Sequence, residues 1–185
     1  MKIVAGKNKG NKLKYLKDNS VRATSHKVRE ALFDIIMSNI DKAIFLDVFA
    51  GSGAIGLEAL SRGAKKVVFI ESNNRCAKII KNNLEITDNI DKGIILKKDY
   101  IVSLNILEKK KCSFDYIFLD PPYNKGFVNK ALISLSKLSL LKKSGTVIVQ
   151  HHKKESTENP VENLCLVKQK KYSESILSFY KSISA

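Results

Sequence analysis

The chain has 185 residues, of which 44% are hydrophobic, so it is long enough for one domain with a substantial core. No apolar run approaches the roughly 18 residues of a membrane span, and the first residues lack the apolar stretch of a signal peptide. The net charge of +15 indicates a polyanionic partner, with nucleic acid the first candidate. Three well-separated cysteines without zinc-binding spacing are typical of reduced thiols and predict a cytoplasmic protein with no bound metal.

The amino-terminal segment is the most basic part of the chain. Residues 1–30 contain nine Lys or Arg residues and two acidic ones, which favours a localised nucleic-acid surface over uniform lysine bias. Two glycines and weak alternation predict a short hairpin or arm over residues 1–24, which the domain over 25–185 does not need in order to fold. Thr24 or Ser25 then caps an amphipathic helix of about four turns.

From Ile44 onwards, short apolar strands alternate with amphipathic helices. The predicted strands are 44–48, 67–70, 93–97, 114–119 and 146–150, and the predicted helices are 55–61, 73–87, 100–110 and 127–141. Strand–helix alternation indicates an α/β fold with a mostly parallel sheet covered on both faces. The last segments, 164–171 and 176–181, have no helix between them and predict a closing antiparallel hairpin, which makes seven strands.

A glycine-rich loop follows the first of these strands and opens a helix. Gly51, Gly53 and Gly56 fit the pattern G-x-G-x-x-G, in which glycines let the backbone approach a ligand and the helix pack closely on its strand. Glu71 ends the next strand about 20 residues later, where a carboxylate can accept hydrogen bonds from ribose hydroxyls. This arrangement predicts a cofactor that contains adenosine.

Two further carboxylates refine this prediction. Asp47 precedes the glycines, where it would repel a pyrophosphate and would suit a positively charged amino or sulfonium group. Asp99 ends the third strand, where it either accepts a hydrogen bond from the adenine amino group or caps the following helix; the two roles carry equal weight. The charge at Asp47 argues against a dinucleotide.

The strand 114–119 stops at Asp120-Pro121-Pro122-Tyr123. Two successive prolines cannot continue a sheet ladder, so a carboxylate and an aromatic ring are held at the carboxyl end of the strand, where open α/β sheets bind ligands. Asp120 and the Pro121 carbonyl can accept hydrogen bonds from an exocyclic amino group while Tyr123 stacks on its ring. A simple Pro-Pro turn is the competing interpretation.

These motifs, in this order on alternating strands, look like those of class I S-adenosylmethionine-dependent methyltransferases that act on exocyclic amino groups. Two further segments, Val21–Phe33 and Leu57–Ala64, together with Asp47–Gly53, closely resemble the RsmD family, and the resemblance covers nearly the whole chain. It implies a Rossmann-like fold and methylation of the N2 amino group of one guanine in bacterial 16S ribosomal RNA, free or within an assembling small subunit, by a monomer that does not contact membranes. Departures from the family pattern occur at Ala5, Ala23, His26 and Gln150.

The expected site residues follow from these patterns and from the resemblance. The catalytic residues are Asp120, Pro121, Pro122 and Tyr123; the residues expected at the cofactor are Asp47, Phe49, Ala50, Gly51, Ser52, Gly53, Gly56, Glu71 and Asp99; and the residues expected at the substrate are Arg22, Thr24, Arg29 and Phe127. For Arg29 the competing role is an ion pair within the fold. His151 and His152 resemble a metal pair, but no third ligand is evident and a solvated strand end is favoured.

Three other functions compete with this assignment. An N6-adenine or N4-cytosine methyltransferase of DNA shares the tetrad chemistry, but no second domain that would read a DNA sequence is apparent. A dehydrogenase using NAD is disfavoured by Asp47 and by the lack of a hydride-transfer acid or base. A non-enzymatic RNA-binding assembly factor is disfavoured by the intact Asp120 and glycine loop.

Overall fold

The computed structural model describes residues 1–16, 26–36, 39–123 and 126–183. They form two compact units, Met1–Tyr100 and Ile101–Ala185. The predicted helix cap at Thr24 or Ser25 lies outside the described residues. No helix within the described ranges is long and apolar enough to cross a membrane.

The described residues of the first unit form three parallel strands and three helices. Its elements are α1 (His26–Ile36), β1 (Ile44–Val48), α2 (Ala54–Ser61), β2 (Lys66–Ile70), α3 (Asn74–Ile86) and β3 (Gly93–Leu96). β2 pairs in parallel with both β1 and β3, and almost every residue of β1 and β2 is buried, as expected for strands covered on both faces. The Asn73 side chain caps α3 by accepting from the Arg75 and Cys76 N–H groups.

The second unit begins with a helix and ends with antiparallel strands. Its elements are α4 (Tyr100–Lys109, whose first residue belongs to the first unit), β4 (Phe114–Leu119), α5 (Phe127–Ser136), β5 (Leu141–His152), β6 (Leu164–Tyr172) and β7 (Ser175–Ser182). β4 and β5 are parallel, whereas β7 is antiparallel to both β5 and β6. The β6–β7 hairpin is therefore confirmed as the closing element.

Across the part of the chain that the structure describes, seven strands follow the order β3-β2-β1-β4-β5-β7-β6. This confirms the predicted α/β class with a mostly parallel seven-stranded sheet and a carboxyl-terminal antiparallel hairpin.

The predicted limits of α5 and β5 were wrong. The helix predicted over 127–141 ends at Ser136, and the strand predicted over 146–150 begins at Leu141 and continues to His152. The polar residues at 142–144, of which Lys143 and Ser144 are exposed, hid the start of this strand, because its first residues are not in the core. The described part of the first helix has 11 residues, His26–Ile36.

Candidate active site

Three residues of the glycine loop that follows β1 have a left-handed backbone conformation. Phe49 has φ of 64°, Gly51 of 55° and Gly53 of 78° before α2 begins at Ala54. Non-glycine residues rarely adopt such angles, which explains the glycines at the last two positions. Residues 49–52 are half-buried, so their backbone is accessible to a ligand. The structure thus presents the predicted cofactor loop at its strand end.

Glu71 fixes this loop from the end of β2. One carboxylate oxygen accepts the Gly51 N–H at 2.7 Å, and the other accepts the Asn73 N–H at 2.7 Å. The carboxylate therefore connects the glycine loop with the start of α3. Each ionised oxygen can accept about two hydrogen bonds, so one acceptor position per oxygen is available beyond these contacts.

Asp47 stabilises the same loop through a buried hydrogen bond. Its side chain is 2% exposed, and one oxygen accepts the Gly56 N–H at 2.9 Å. Asp47 therefore holds the first turn of α2, and its expected contact with a positively charged ligand group stays a prediction. The third glycine has a packing role, because a Cβ on Gly56 would lie 2.2 Å from Cε1 of Phe69.

An aromatic pair adjoins the loop. The rings of Phe49 and Tyr100 lie 4.9 Å apart between centroids. Tyr100 opens α4 immediately after Asp99, whose side chain is exposed. The sequence prediction missed Tyr100, although its position beside Asp99 was a usable signal. This pair provides an apolar surface of the kind that accommodates a planar ring.

In the second unit, the tetrad follows the last residue of β4. Pro121 is buried, Pro122 is exposed, and Asp120 and Tyr123 are half-buried. The Tyr123 hydroxyl accepts a hydrogen bond from Nε2 of Gln150 at 2.9 Å and lies 3.3 Å from Oγ of Ser175. The strand therefore stops at the double proline, as the sequence predicted.

The contacts of Tyr123 fix the orientation of its ring. Gln150 and Ser175 hold the hydroxyl from neighbouring strands, and the His152 ring lies 5.8 Å away at an angle of 54°. Gln150 and Ser175 were not among the predicted site residues, because nothing local in the sequence relates positions 123, 150 and 175. A tyrosine held in this way is prepared to stack on a flat ligand without further ordering.

The histidine pair does not form a solvated strand end. His151 is 1% exposed, with Nε2 lying 2.8 Å from Oγ of Ser178, and burial lowers the pKa of its imidazole. His152 is half-buried, and its Nε2 lies 3.5 Å from Oε2 of Glu174. The described residues contain no group of three side chains suited to a metal ion. The expectation for His151 was thus wrong, because its ring belongs to the core between β5 and β7.

The structure also corrects the substrate role expected for Arg29. This side chain is 1% exposed, and its Nη2 donates to the Lys2 carbonyl at 2.6 Å. Its Nε lies 3.7 Å from Oε2 of Glu58, which is itself fully buried. Arg29 forms an ion pair within the fold, which was the competing interpretation of this residue. Arg22 and Thr24 lie outside the described residues.

The amino-terminal segment is bound to the first unit through buried side chains. Glu58 accepts hydrogen bonds from the Val4 and Ala5 N–H groups at 2.8 and 3.0 Å. Asn83 accepts from the Lys14 N–H and donates to the carbonyls of Lys14 and Ser52, at 2.8, 3.0 and 3.0 Å. One buried amide thus joins this segment to the glycine loop, while Lys7, Lys9, Lys12 and Lys14 remain exposed.

Comparison with known proteins agrees with this geometry. A family model described as conserved hypothetical protein 95 matches residues 1–181. The ribosomal RNA small subunit methyltransferase D of Haemophilus influenzae is 35% identical over 92% of this chain and 88% of its own length. The chain belongs to the RsmD family.

Other members support the assignment to the RsmD family. The protein of the same name from Buchnera aphidicola, strain APS, is 32% identical over 91% of this chain and 86% of its own length. The solved structure of yhhF from Escherichia coli covers 100% of this chain and 99% of its own, with a TM-score of 0.86 and 26% identity. The RsmD family resemblance in the sequence and the observed fold therefore agree.

Proposed function

We propose that this protein transfers a methyl group from S-adenosylmethionine to the exocyclic N2 amino group of a guanine in bacterial 16S ribosomal RNA. The observation that carries the proposal is the end of β4 at Asp120-Pro121-Pro122-Tyr123, with the tyrosine fixed by Gln150 and Ser175. Family membership supports the reaction class and the RNA substrate. The choice of guanine N2 rests on the resemblance to the family.

The first unit would hold the cofactor. The accessible backbone of Phe49, Ala50, Gly51 and Ser52 fits a small charged ligand, and the acceptor positions left on Glu71 fit the two ribose hydroxyls. The Phe49–Tyr100 pair and the exposed Asp99 would receive the adenine ring and its amino group. Gly53, Gly56 and Asp47 contribute by shaping the loop.

Bound S-adenosylmethionine supplies a methyl group that is already activated by the sulfonium, so the protein acts mainly by positioning the amine. A guanine amine is a weak nucleophile because its lone pair is conjugated with the ring. Asp120 and the Pro121 carbonyl would accept its N–H hydrogens and favour the pyramidal nitrogen that attacks. Pro122 keeps the turn rigid, and Tyr123 with Phe127 would hold the base between them.

The substrate base has to leave its stack to reach such a group, which costs least in single-stranded or looped RNA. Exposed lysines of the amino-terminal segment would contact phosphates, and Arg22 and Thr24 are proposed as further substrate contacts on the resemblance to the family. Arg29 does not contact the RNA in this proposal, because it is buried against Glu58. The substrate is naked RNA or an assembling small subunit, and the protein acts as a monomer.

Labelled S-adenosylmethionine incubated with free 16S RNA, small subunits or DNA tests the proposal. After digestion to nucleosides, label is expected in N2-methylguanosine from one of the two RNA substrates. Label in adenine or cytosine of DNA, with none in RNA, would show that the second methyltransferase class is correct.

A further inference from the structure

The edge strand β6 carries an unusual run of exposed lysines. Lys168, Lys170 and Lys171 are exposed, and so are the adjacent Val167 and Gln169, so both faces of this stretch meet solvent. The strand lies at one end of the strand order. Leu164–Tyr172 contains no acidic residue, so the positive charge is not compensated within the strand.

Strand register relates these lysines to Tyr123. Gln150 is paired with Leu177, which is paired with Lys170, and the neighbouring row joins His151, Ile176 and Lys171. Two strand spacings correspond to about 10 Å, so Lys170 is about that far from Gln150 at the backbone. Gln150 donates to the Tyr123 hydroxyl, so the lysines lie at the same end of this sheet as the tyrosine.

We propose that Lys168, Lys170 and Lys171 form an RNA-binding strip that contacts the phosphates of nucleotides flanking the target base. The inference rests on the proposed function, in which Tyr123 stacks on that base. A nucleotide chain continuing from the base across β7 would reach the strip, where Lys168 and Lys170 are spaced about 6.7 Å apart along the strand.

A polyanion fits this strip better than a second copy of the chain does. Lysines on an exposed edge discourage strand pairing, since two copies of β6 would bring uncompensated positive charges together. The same charges attract phosphates, and each lysine–phosphate contact releases counterions from the RNA. The strip would thus give the second unit a basic surface of its own.

Two triple variants test the strip. Lys168→Gln, Lys170→Gln and Lys171→Gln remove its charge, while Lys109→Gln, Lys110→Gln and Lys111→Gln remove an equal charge from three exposed lysines elsewhere in the same unit. The strip variant should weaken binding to a 16S RNA fragment by roughly tenfold at low salt. The slope of log affinity against log salt concentration should become shallower by about 2, as expected for three lost contacts to a single strand.

The control triple should leave RNA affinity within about twofold of the wild type. In methylation assays the strip variant should raise KM for RNA and leave kcat unchanged, because the lysines do not touch the reacting atoms. Thermal melting confirms that both triples fold. If both triple variants lose RNA affinity equally, the effect depends on overall charge and the proposed RNA-binding strip is wrong.

Unchanged RNA affinity together with self-association of the strip variant in sedimentation would show that the lysines only protect the edge. Absence of methylation by the wild type would overturn the proposed function instead. RNA binding by the two triples would still decide the strip in that case.

Discussion

Replacing Glu58 with alanine should lower the free energy of unfolding by about 3–5 kcal/mol, the range found when one partner of a buried ion pair is removed. Glu58 is fully buried and lies 2.9 Å from Nε of Arg62 and 3.7 Å from Nε of Arg29, which is 1% exposed. Burial lowers the pKa of the Arg29 guanidinium, and Glu58 opposes that shift. Without Glu58, the Arg29 charge remains in the core, where its Nη2 still donates to the Lys2 carbonyl.

The same substitution removes the acceptor of the Val4 and Ala5 N–H groups. Each unpaired buried donor costs about 1–3 kcal/mol, but these residues are half-buried and can regain water by leaving the surface. The loss should therefore stay within the range for the ion pair, and the amino-terminal segment should detach. Rapid amide exchange of residues 3–13 would report that detachment.

Urea unfolding of Glu58→Ala, Glu58→Gln and the control Glu30→Ala measures the effect. Glu30 is exposed, and its contact with His26 is long, at 4.0 Å. Its loss should therefore change the free energy of unfolding by less than about 0.5 kcal/mol. A loss below about 1 kcal/mol for Glu58→Ala would refute the reasoning that the buried pair anchors the amino-terminal segment.

Two further substitutions probe the cofactor loop and the buried histidine. Glu71→Ala should weaken S-adenosylmethionine binding by roughly ten- to a hundredfold in calorimetry, because both the loop anchor and a charged acceptor are lost; affinity equal to the wild type would contradict this role. Burial lowers the pKa of His151 below its ordinary 6.5, so the unfolded chain takes up the proton first and stability falls as pH drops through 6.5. His151→Gln should reduce this loss of stability at low pH, whereas the control His26→Gln, at an exposed site, should not. An unchanged pH profile of stability for His151→Gln would contradict the role given to the buried His151.

Strands and the loops that follow them could be predicted because they depend on local patterns. β1 and β4 have the predicted limits, 44–48 and 114–119, since both are short apolar runs with clear ends. The double proline fixed the end of β4 by removing two backbone donors, which is a property of the residues themselves. The same holds for the glycine loop, whose left-handed angles require glycine at Gly51 and Gly53.

Contacts between distant segments could not be predicted in this way. Arg29 and Glu58 are charged residues on helices, and charged side chains are mostly exposed. Only the folded chain shows that these two are buried together. The amino-terminal arm predicted to be dispensable supplies backbone donors to that same carboxylate. Deleting it would leave Glu58 without two partners, so substitutions of exposed lysines are the better test of RNA binding.

The most direct test of the central claim is single-turnover methylation of 16S RNA by Asp120→Ala at saturating S-adenosylmethionine. Asp115→Ala is the matched control, because Asp115 lies within β4, five residues before Asp120, and pairs with Lys142 at 2.8 Å. If Asp120 positions the target amine, its variant should lose roughly a hundredfold or more in rate and bind the cofactor normally, while the control retains its rate. Near-normal methylation by Asp120→Ala would contradict the proposed mechanism.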